Sequence, residues 1–545
     1  MAEVAMSNVQ KLVYFALVPI VFFAEALLAQ NPQSQSPPSS ADVPTFRVTS
    51  SLVFLDVTVL DKKGHPLVKG LTKDDFAIAE DKKPQDIFSF EAPETHAVAT
   101  SAGDDNPEGK APVTIFVLDQ LNSTSEDFAI VRNALRSYLE GQPKELNAPA
   151  ELMVVGNQTL ETIQGYTRSK DDLLYALKHL PRALPFKVIN DSFSGERLGQ
   201  SLDALQQIAL QNRGVPRRKN VLWVGRGGPS LSTHALPSSL AVEAKQYLHA
   251  TVNKLVDSRI SLFVIFPKLS TVTPLRTYAG TRFAGADRAL DALIANAAVN
   301  NNDPFAGDVN FGMLVTETGG QIFENQNDVD RLIARSQQMG SDYYTLTYHP
   351  HGGDANGRFR YIRVTLRDPS LYVVTKGGYY APDSDVPNDP RQQTMINLAE
   401  AAQSGIPLTA LDVKISSIIQ HPDSRTAELT LQFKAKNLTW TSADEGLRTS
   451  SLIMAGASLD GRKEILASKI EKVTLSSKTQ DPTRLAEGIS FFPVTVRVPR
   501  KTKTVRVVLE TEDGGRIGAS EVDRQAIDAA PAKPTPEPQP QPTAP

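Results

Sequence analysis

The 545-residue sequence contains no cysteine. That excludes disulfides, thiolate metal sites, a cysteine nucleophile and lipid modification of a cysteine behind a leader. An excess of one charge is also missing. The net charge of −4 is spread over a mixed-sign surface, whereas a nucleic-acid-binding chain carries a basic face. The eight histidines stand neither in H-E-x-x-H nor beside a G-x-S-x-G elbow, so the common signatures of zinc proteases and α/β-hydrolases are absent. Apolar runs long enough for a membrane span are lacking as well. At the amino terminus Lys11 precedes Leu12–Ala24, a run broken by Pro19, with Ala24, Ala26 and Ala29 as small residues for cleavage. The run is short for a span and has the shape of a secretory leader over residues 1–29, cleaved after Ala29; the competing reading is an uncleaved anchor. Either way the folded part is expected to be secreted or periplasmic, held together by packing alone.

What the chain does have is the stretch VTIFVLDQLNST, Val113–Thr124. An uninterrupted apolar run ends in Asp119 and feeds a helical pattern over Glu126–Leu139, as a buried parallel strand does. Ligands of such sheets sit at the carboxyl ends of the strands, which points to the Asp119–Ser125 loop. Around this stretch the length predicts several domains. A Pro/Ser/Gln linker (30–44) precedes a small β unit (45–92) and a polar linker (93–111). From 112 to 340 strands alternate with helices, predicting a doubly wound α/β domain with a mostly parallel sheet. Its strands are expected at Val113–Leu118, Glu151–Val155, Asn220–Val224, Ile260–Phe266 and Gln321–Phe323. Its helices are expected at Glu126–Leu139, Lys170–Leu180, Leu198–Gln211, Ser238–Asp257, Phe311–Thr318 and Asp328–Met339. Strands return over 341–382, where they can pack with 45–92. After a linker (383–406), alternating patterns with Asp-Gly turns predict an all-β, sandwich-like domain over 407–521, and a Pro-rich tail fills 522–545.

Other motifs carry less chemistry. Gly225-Arg226-Gly227-Gly228 follows a strand but fits neither phosphate-loop spacing, and Pro229 removes a backbone donor; a turn is the better reading. His349-Pro350-His351 lies at a Gly-rich turn, which favours an exposed hairpin over a metal site. Asp74–Asp75 and Glu80–Asp81 read as solvated turn carboxylates rather than a glycosidase pair. Tyr343, Tyr344, Tyr348, Tyr379 and Tyr380 read as cross-strand packing rather than a carbohydrate-binding face.

Six short segments, in this order and spacing, carry a resemblance. They are VFLDVTVLDKKGHPLVKGLTKDDFAIAEDKKPQDIFSFE, VTIFVLDQLNST, KNVLWVGRGGP, ETGGQIF, DYYTLTYHP and FRYIRVTLRDPSLYVVTKGGYYAP. From about Phe46 to Pro382 the chain resembles a bacterial secreted family related to the von Willebrand factor type A (vWA) domain. The resemblance implies a vWA-like α/β domain flanked by β elements and names a fold better than an activity. Typical vWA domains hold Mg²⁺ through an Asp-x-Ser-x-Ser loop, a Thr from a second loop and an Asp from a third. Here Asp119 and Ser123 match the first loop, Leu121 replaces its middle Ser, and the second loop (Asp191–Gly199) offers only Ser192 or Ser194. The third loop places Arg226 where a carboxylate belongs. A hard cation needs near-octahedral oxygen ligation, so no metal is expected. If one binds, Asp119, Asn122 and Ser123 would hold it. Asp119 is expected instead to cap the following helix or to pair with Arg226.

The sequence therefore predicts a non-enzymatic protein-binding or scaffolding protein with a degenerate metal site and no cofactor. Its protein-binding edge would comprise Asp119, Asn122, Ser123, Thr124, Ser192, Ser194 and Arg226, with Arg226 as a fork for a partner's acid. Partners are expected to be proteins of the cell envelope or exterior, with no nucleic acid and no membrane span after leader removal. The alternatives are metal-dependent adhesion through a remodelled ion site and a hydrolase with an unrecognised inter-domain site.

Overall fold

The computed structural model describes residues 52–67, 69–96, 111–156, 160–181, 193–229, 238–267, 304–305, 309, 311–326, 328–351, 355–383, 390–442, 446–512 and 515–533. The expected leader, the Pro/Ser/Gln linker, Ser192 and residues 534–545 of the expected Pro-rich tail lie outside them. The start of that tail is structured instead, ending the strand Ile517–Asp523 and forming a helix over Arg524–Asp528, because residues 522–530 carry no proline and Ile527 is buried. The chain divides into two units, one of Met1–Ala209 with Pro216–Asn388, the other of Leu210–Val215 with Asp389–Pro545. It is a mixed α/β protein with several sheets, one of them six-stranded and mostly parallel. Among the described residues no helix is long and apolar enough to cross a membrane.

The first unit opens with β1 (Val53–Leu60), β2 (Phe76–Glu80), β3 (Lys83–Gln85) and β4 (Ile87–Glu91). The α/β part follows with β5 (Val113–Asp119), α1 (Ser125–Glu140), β6 (Glu145–Val155), β7 (Leu160–Ser169), α2 (Lys170–Lys178) and α3 (Ser194–Gln211). It continues through β8 (Lys219–Val224), α4 (Ser238–Asp257), β9 (Ile260–Pro267), α5 (Phe311–Glu317), β10 (Ile322–Gln326) and α6 (Val329–Ser341). The unit closes with β11 (Tyr344–Tyr348), β12 (Phe359–Leu366), β13 (Tyr372–Val374) and β14 (Gly378–Tyr380).

Every residue of β5 is buried, which is why its sequence shows no polar alternation. The strand lies at the centre of the sheet order β10-β9-β8-β5-β6-β7, parallel to both β6 and β8. The strand β7 runs antiparallel to β6 at the edge. It has no counterpart in the sequence prediction, because LETIQGYTRS is a half-exposed edge strand without apolar periodicity. The apolar stripe of α1 (Val131, Leu135, Tyr138, Leu139) packs with Phe116 and Leu118 of β5 and with α6 residues Leu332, Ile333 and Met339 in one cluster. The chain runs from β5 outward to β6 and β7, then returns to β8 on the other flank. That reversal is a topological switch point, and open α/β sheets place their binding crevice at such a point, here the carboxyl ends of β5 and β8.

The strands after α6 pair with those before β5. One sheet has the order β13-β1-β11-β4 and another β14-β12-β2-β3, and their inner faces share a core of Leu55, Val57, Phe76, Ile78, Tyr344, Leu346 and Ile362. Tyr343, Tyr344 and Tyr348 are buried, and the Tyr348 hydroxyl donates to Glu80 Oε2 at 2.6 Å. Glu80 is therefore a buried acceptor rather than the solvated carboxylate that its turn position suggests.

In the second unit Val413–His421, Thr426–Lys434 and Ile489–Arg497 form one antiparallel sheet. Thr441–Ser442, Arg448–Leu459, Ile465–Ser477, Thr504–Thr511 and Ile517–Asp523 form another. Leu429, Leu431, Phe433, Leu452, Met454, Val494, Val496, Val507 and Leu509 contribute to one apolar cluster. The alternating pattern of Leu429, Leu431 and Phe433 points these side chains inward, each fully buried.

Candidate functional site

The crevice is built from the last residue of β5, the loop that follows it, and the glycine-rich turn after β8. Asp119 is 0% exposed. Its Oδ1 accepts from the Asn122 backbone N–H at 2.9 Å and from Asn122 Nδ2 at 3.2 Å. Its Oδ2 accepts from Trp223 Nε1 at 3.0 Å, from the Gly227 backbone N–H at 3.0 Å and from Asn122 Nδ2 at 3.3 Å. Four N–H groups thus converge on one carboxylate. Burial pushes the Asp119 carboxyl up from its ordinary value, and the Trp223, Asn122 and Gly227 donors pull it back.

The turn after β8 fits this carboxylate because it lacks side chains. Gly225 has φ +146°, and a Cβ there would lie 2.4 Å from Asp119 Cβ. Gly227 has φ +72°, and a Cβ there would lie 2.8 Å from Phe311 Cδ1. With both positions bare, the chain folds over Asp119 and delivers the Gly227 N–H. Phe311 and Trp223 pack at 5.1 Å between ring centroids, closing the apolar side of the site.

The expected partners of Asp119 are arranged differently. Asp119 does not cap α1, because it belongs to the strand; Thr124 is the cap, its hydroxyl accepting from the Asp127 N–H at 3.1 Å. Nor does Asp119 pair with Arg226. The Arg226 guanidinium turns to Asp127 at 3.1 Å, lies 5.7 Å from the Phe266 ring centroid and leaves only 9% of its side chain exposed. It is an internal strut joining the turn to α1, not a free fork for a partner's acid.

Ser194 is not in a loop; it is the first residue of α3. The hydroxyl that reaches the site from this helix is Ser201, which accepts from Asn122 Nδ2 at 3.1 Å and donates to the Arg197 carbonyl at 2.8 Å. Leu121, at the position of the missing serine, is fully buried. The residues of the rim that reach solvent are Ser123 and Thr124, half-buried, and Ser125 and Glu126, exposed. Asn122 Oδ1 and Ser123 Oγ are buried and have no hydrogen-bond partner among the described residues.

Trp223 and Ser201 were not singled out from the sequence, and Gly225 and Gly227 were read there as part of a turn without a role of their own. One signal was present: a tryptophan inside a fully buried strand needs an acceptor for its indole N–H, and the adjacent strand ends in an aspartate.

The other motifs lie apart from this crevice. His351 contacts Gln85 Oε1 at 2.8 Å, and His349 packs edge-on against Phe88. Among the described residues no cluster of three His, Asp or Glu side chains is disposed to hold a metal.

Fold and site together define an α/β unit with a six-stranded, mostly parallel sheet, at whose carboxyl edge lies a buried, hydrogen-bonded aspartate. No family model matches the chain, and no curated protein matches it. Among solved structures it is similar to the crystal structure of the SpRpn10 VWA domain, at 13% identity over 42% of this chain and 96% of that chain, with a TM-score of 0.23.

Proposed function

We propose that this chain is a secreted or periplasmic protein-binding or scaffolding protein, not an enzyme, and that its vWA-like unit recognises a protein partner without a bridging metal. The observation that carries this reading is the state of Asp119. Both carboxylate oxygens face N–H donors of the protein's own backbone and side chains. A cation on either oxygen would have to displace the Trp223 indole or a main-chain donor. Among the described residues no second carboxylate bonds at Asp119, and Asp127 is engaged by Arg226. Such a donor set does not suit a divalent ion that needs about six oxygens.

With the floor of the crevice closed, the side chains left to a partner are those of the rim, Thr124, Ser125 and Glu126. Secretion rests on the leader-like run at the amino terminus. The experiment is affinity capture from a cell-envelope fraction with wild type and with Glu126→Arg. Recovery of a partner by wild type and its loss with the variant supports this edge; equal recovery by both removes it.

One feature favours the competing reading of a remodelled ion site. Asn122 Oδ1 and Ser123 Oγ, in the loop that follows Asp119, are buried oxygens without partners among the described residues. Both are neutral, however, and neither supplies the charge that a divalent ion draws on.

A further inference from the structure

The second unit gathers three of its strand connections at one end. Residues 422–425 join Val413–His421 to Thr426–Lys434, residues 460–464 join Arg448–Leu459 to Ile465–Ser477, and residues 498–503 join Ile489–Arg497 to Thr504–Thr511. Main-chain bonds tie the three together. The Val498 N–H donates to the Arg425 carbonyl at 2.8 Å, and the Lys503 N–H donates to the Leu459 carbonyl at 2.7 Å, at the foot of the second connection. The helix Arg524–Asp528 starts at the same end. The Arg524 N–H donates to the Lys503 carbonyl at 2.8 Å, and its Nη1 donates to the Pro499 carbonyl at 3.3 Å.

This end is rich in cations. From residue 488 to residue 509 the sequence holds Arg497, Arg500, Lys501, Lys503 and Arg506 and no acid. Arg506 is buried and donates to Glu521, but the other four are exposed, as are Arg425 and Arg462 on the neighbouring connections. The carboxylates here are fewer and partly engaged. Asp460 accepts from the Arg462 and Glu464 backbone N–H groups of its own turn, and Asp528 accepts from Arg524 Nε. Asp423, Glu464 and Asp523 are the exposed acids beside them. The chain as a whole carries a net charge of −4, so this end runs against its sign. No aromatic residue lies on the three connections, and Val498, their one branched aliphatic residue, is buried.

We propose that this end of the second unit docks on an anionic lipid surface. Connections at the end of paired sheets are their outermost points, so cations on three adjoining connections meet a plane of charge together. Six exposed cationic side chains on a hydrogen-bonded frame match phosphodiester headgroups spread over such a plane. With no exposed aromatic or branched aliphatic side chain to insert, attachment is by charge alone and is screened by salt. The surface lies wholly in the second unit and stands whether or not the rim near Asp119 binds a protein.

The test sediments the full chain with vesicles of phosphatidylcholine and with vesicles of equal parts phosphatidylcholine and phosphatidylglycerol. The apolar amino-terminal run adds the same background to both, so the quantity read is the excess on the anionic vesicles. An excess is expected at about 0.05 M salt, and its loss at about 1 M, where screening acts over a few ångström. Arg500→Glu combined with Lys501→Glu is expected to cut the excess about 10-fold or more. Lys414→Glu combined with Lys478→Glu changes the net charge equally at the far end of the two sheets and is expected to leave the excess nearly unchanged. Absence of an excess overturns the proposal, as does an excess that survives in about 1 M salt. Equal losses in the two double variants also overturn it, because net charge rather than this end would then govern binding. Retention on immobilised polyphosphate, lost with Arg500→Glu and Lys501→Glu but without an excess on vesicles, would reassign the surface to a soluble polyanion and overturn it as well.

Discussion

A carboxylate accepts and cannot donate, and the surroundings of Asp119 use that property fully. Replacing it by asparagine keeps the shape but turns an NH₂ toward Asn122 on one side or toward Trp223 and Gly227 on the other. Asp119→Asn is expected to lower stability by about 2–3 kcal/mol, and Trp223→Phe, which removes one donor and keeps an aromatic ring, by about 1–2 kcal/mol. Urea denaturation of the variants measures both; an unchanged midpoint for Asp119→Asn would show that these donors do not hold the carboxylate.

A second buried acid makes a prediction about pH. Glu510, on the strand Thr504–Thr511, lies 3.2 Å from Arg213 Nη1 and 3.4 Å from Asn397 Nδ2, and burial pushes it up to about 7 against both. A carboxyl raised in the folded state contributes stability that is complete below its unfolded value, about 4.3, and is lost as pH rises through about 7. The second unit is therefore expected to lose on the order of 2 kcal/mol between about pH 5 and pH 8. Glu510→Gln should flatten that dependence; an unfolding midpoint that rises over the same interval contradicts the assignment.

At the scale of elements, the turn after β8 is the part most sensitive to a single atom. Gly225→Ala places a Cβ against Asp119 Cβ at 2.4 Å in a backbone conformation that L side chains rarely adopt. It is expected to cost about 2 kcal/mol or more, whereas Thr124→Ala, which removes only the cap of α1, should cost about 1 kcal/mol. Differential scanning calorimetry ranks the two, and a reversed order would mean that the turn relaxes away from Asp119. The strand β5 and helix α1 were legible in the sequence because an apolar run closed by Asp119 leads straight into a capped helix. The edge strand β7 and the short β14 were not, since half-exposed or glycine-containing strands carry no period. The start of α3 at Ser194 was missed for a related reason: its first turn, Ser-Gly-Glu-Arg, is polar and contains glycine. The glycines after β8 were read as a flexible turn, although their lack of side chains is what lets the chain close over Asp119.

Over the whole molecule, the sequence pattern pointed to the carboxyl ends of the central strands, but not to the internal pairings found there. Strand order follows from hydrophobic patterning and chain reversal, which a sequence carries in runs of residues. The Arg226–Asp127 pair and the Trp223–Asp119 bond join positions about a hundred residues apart, and nothing local marks them. Their consequence is global: with its acid bonded internally, the crevice leaves the proposed partner only the rim. Calorimetric titration of the purified chain with Mg²⁺ and Mn²⁺ decides this most directly. No binding tighter than millimolar is expected, with or without Asp119. Micromolar binding that disappears in Asp119→Ala would contradict it and make the crevice an ion site.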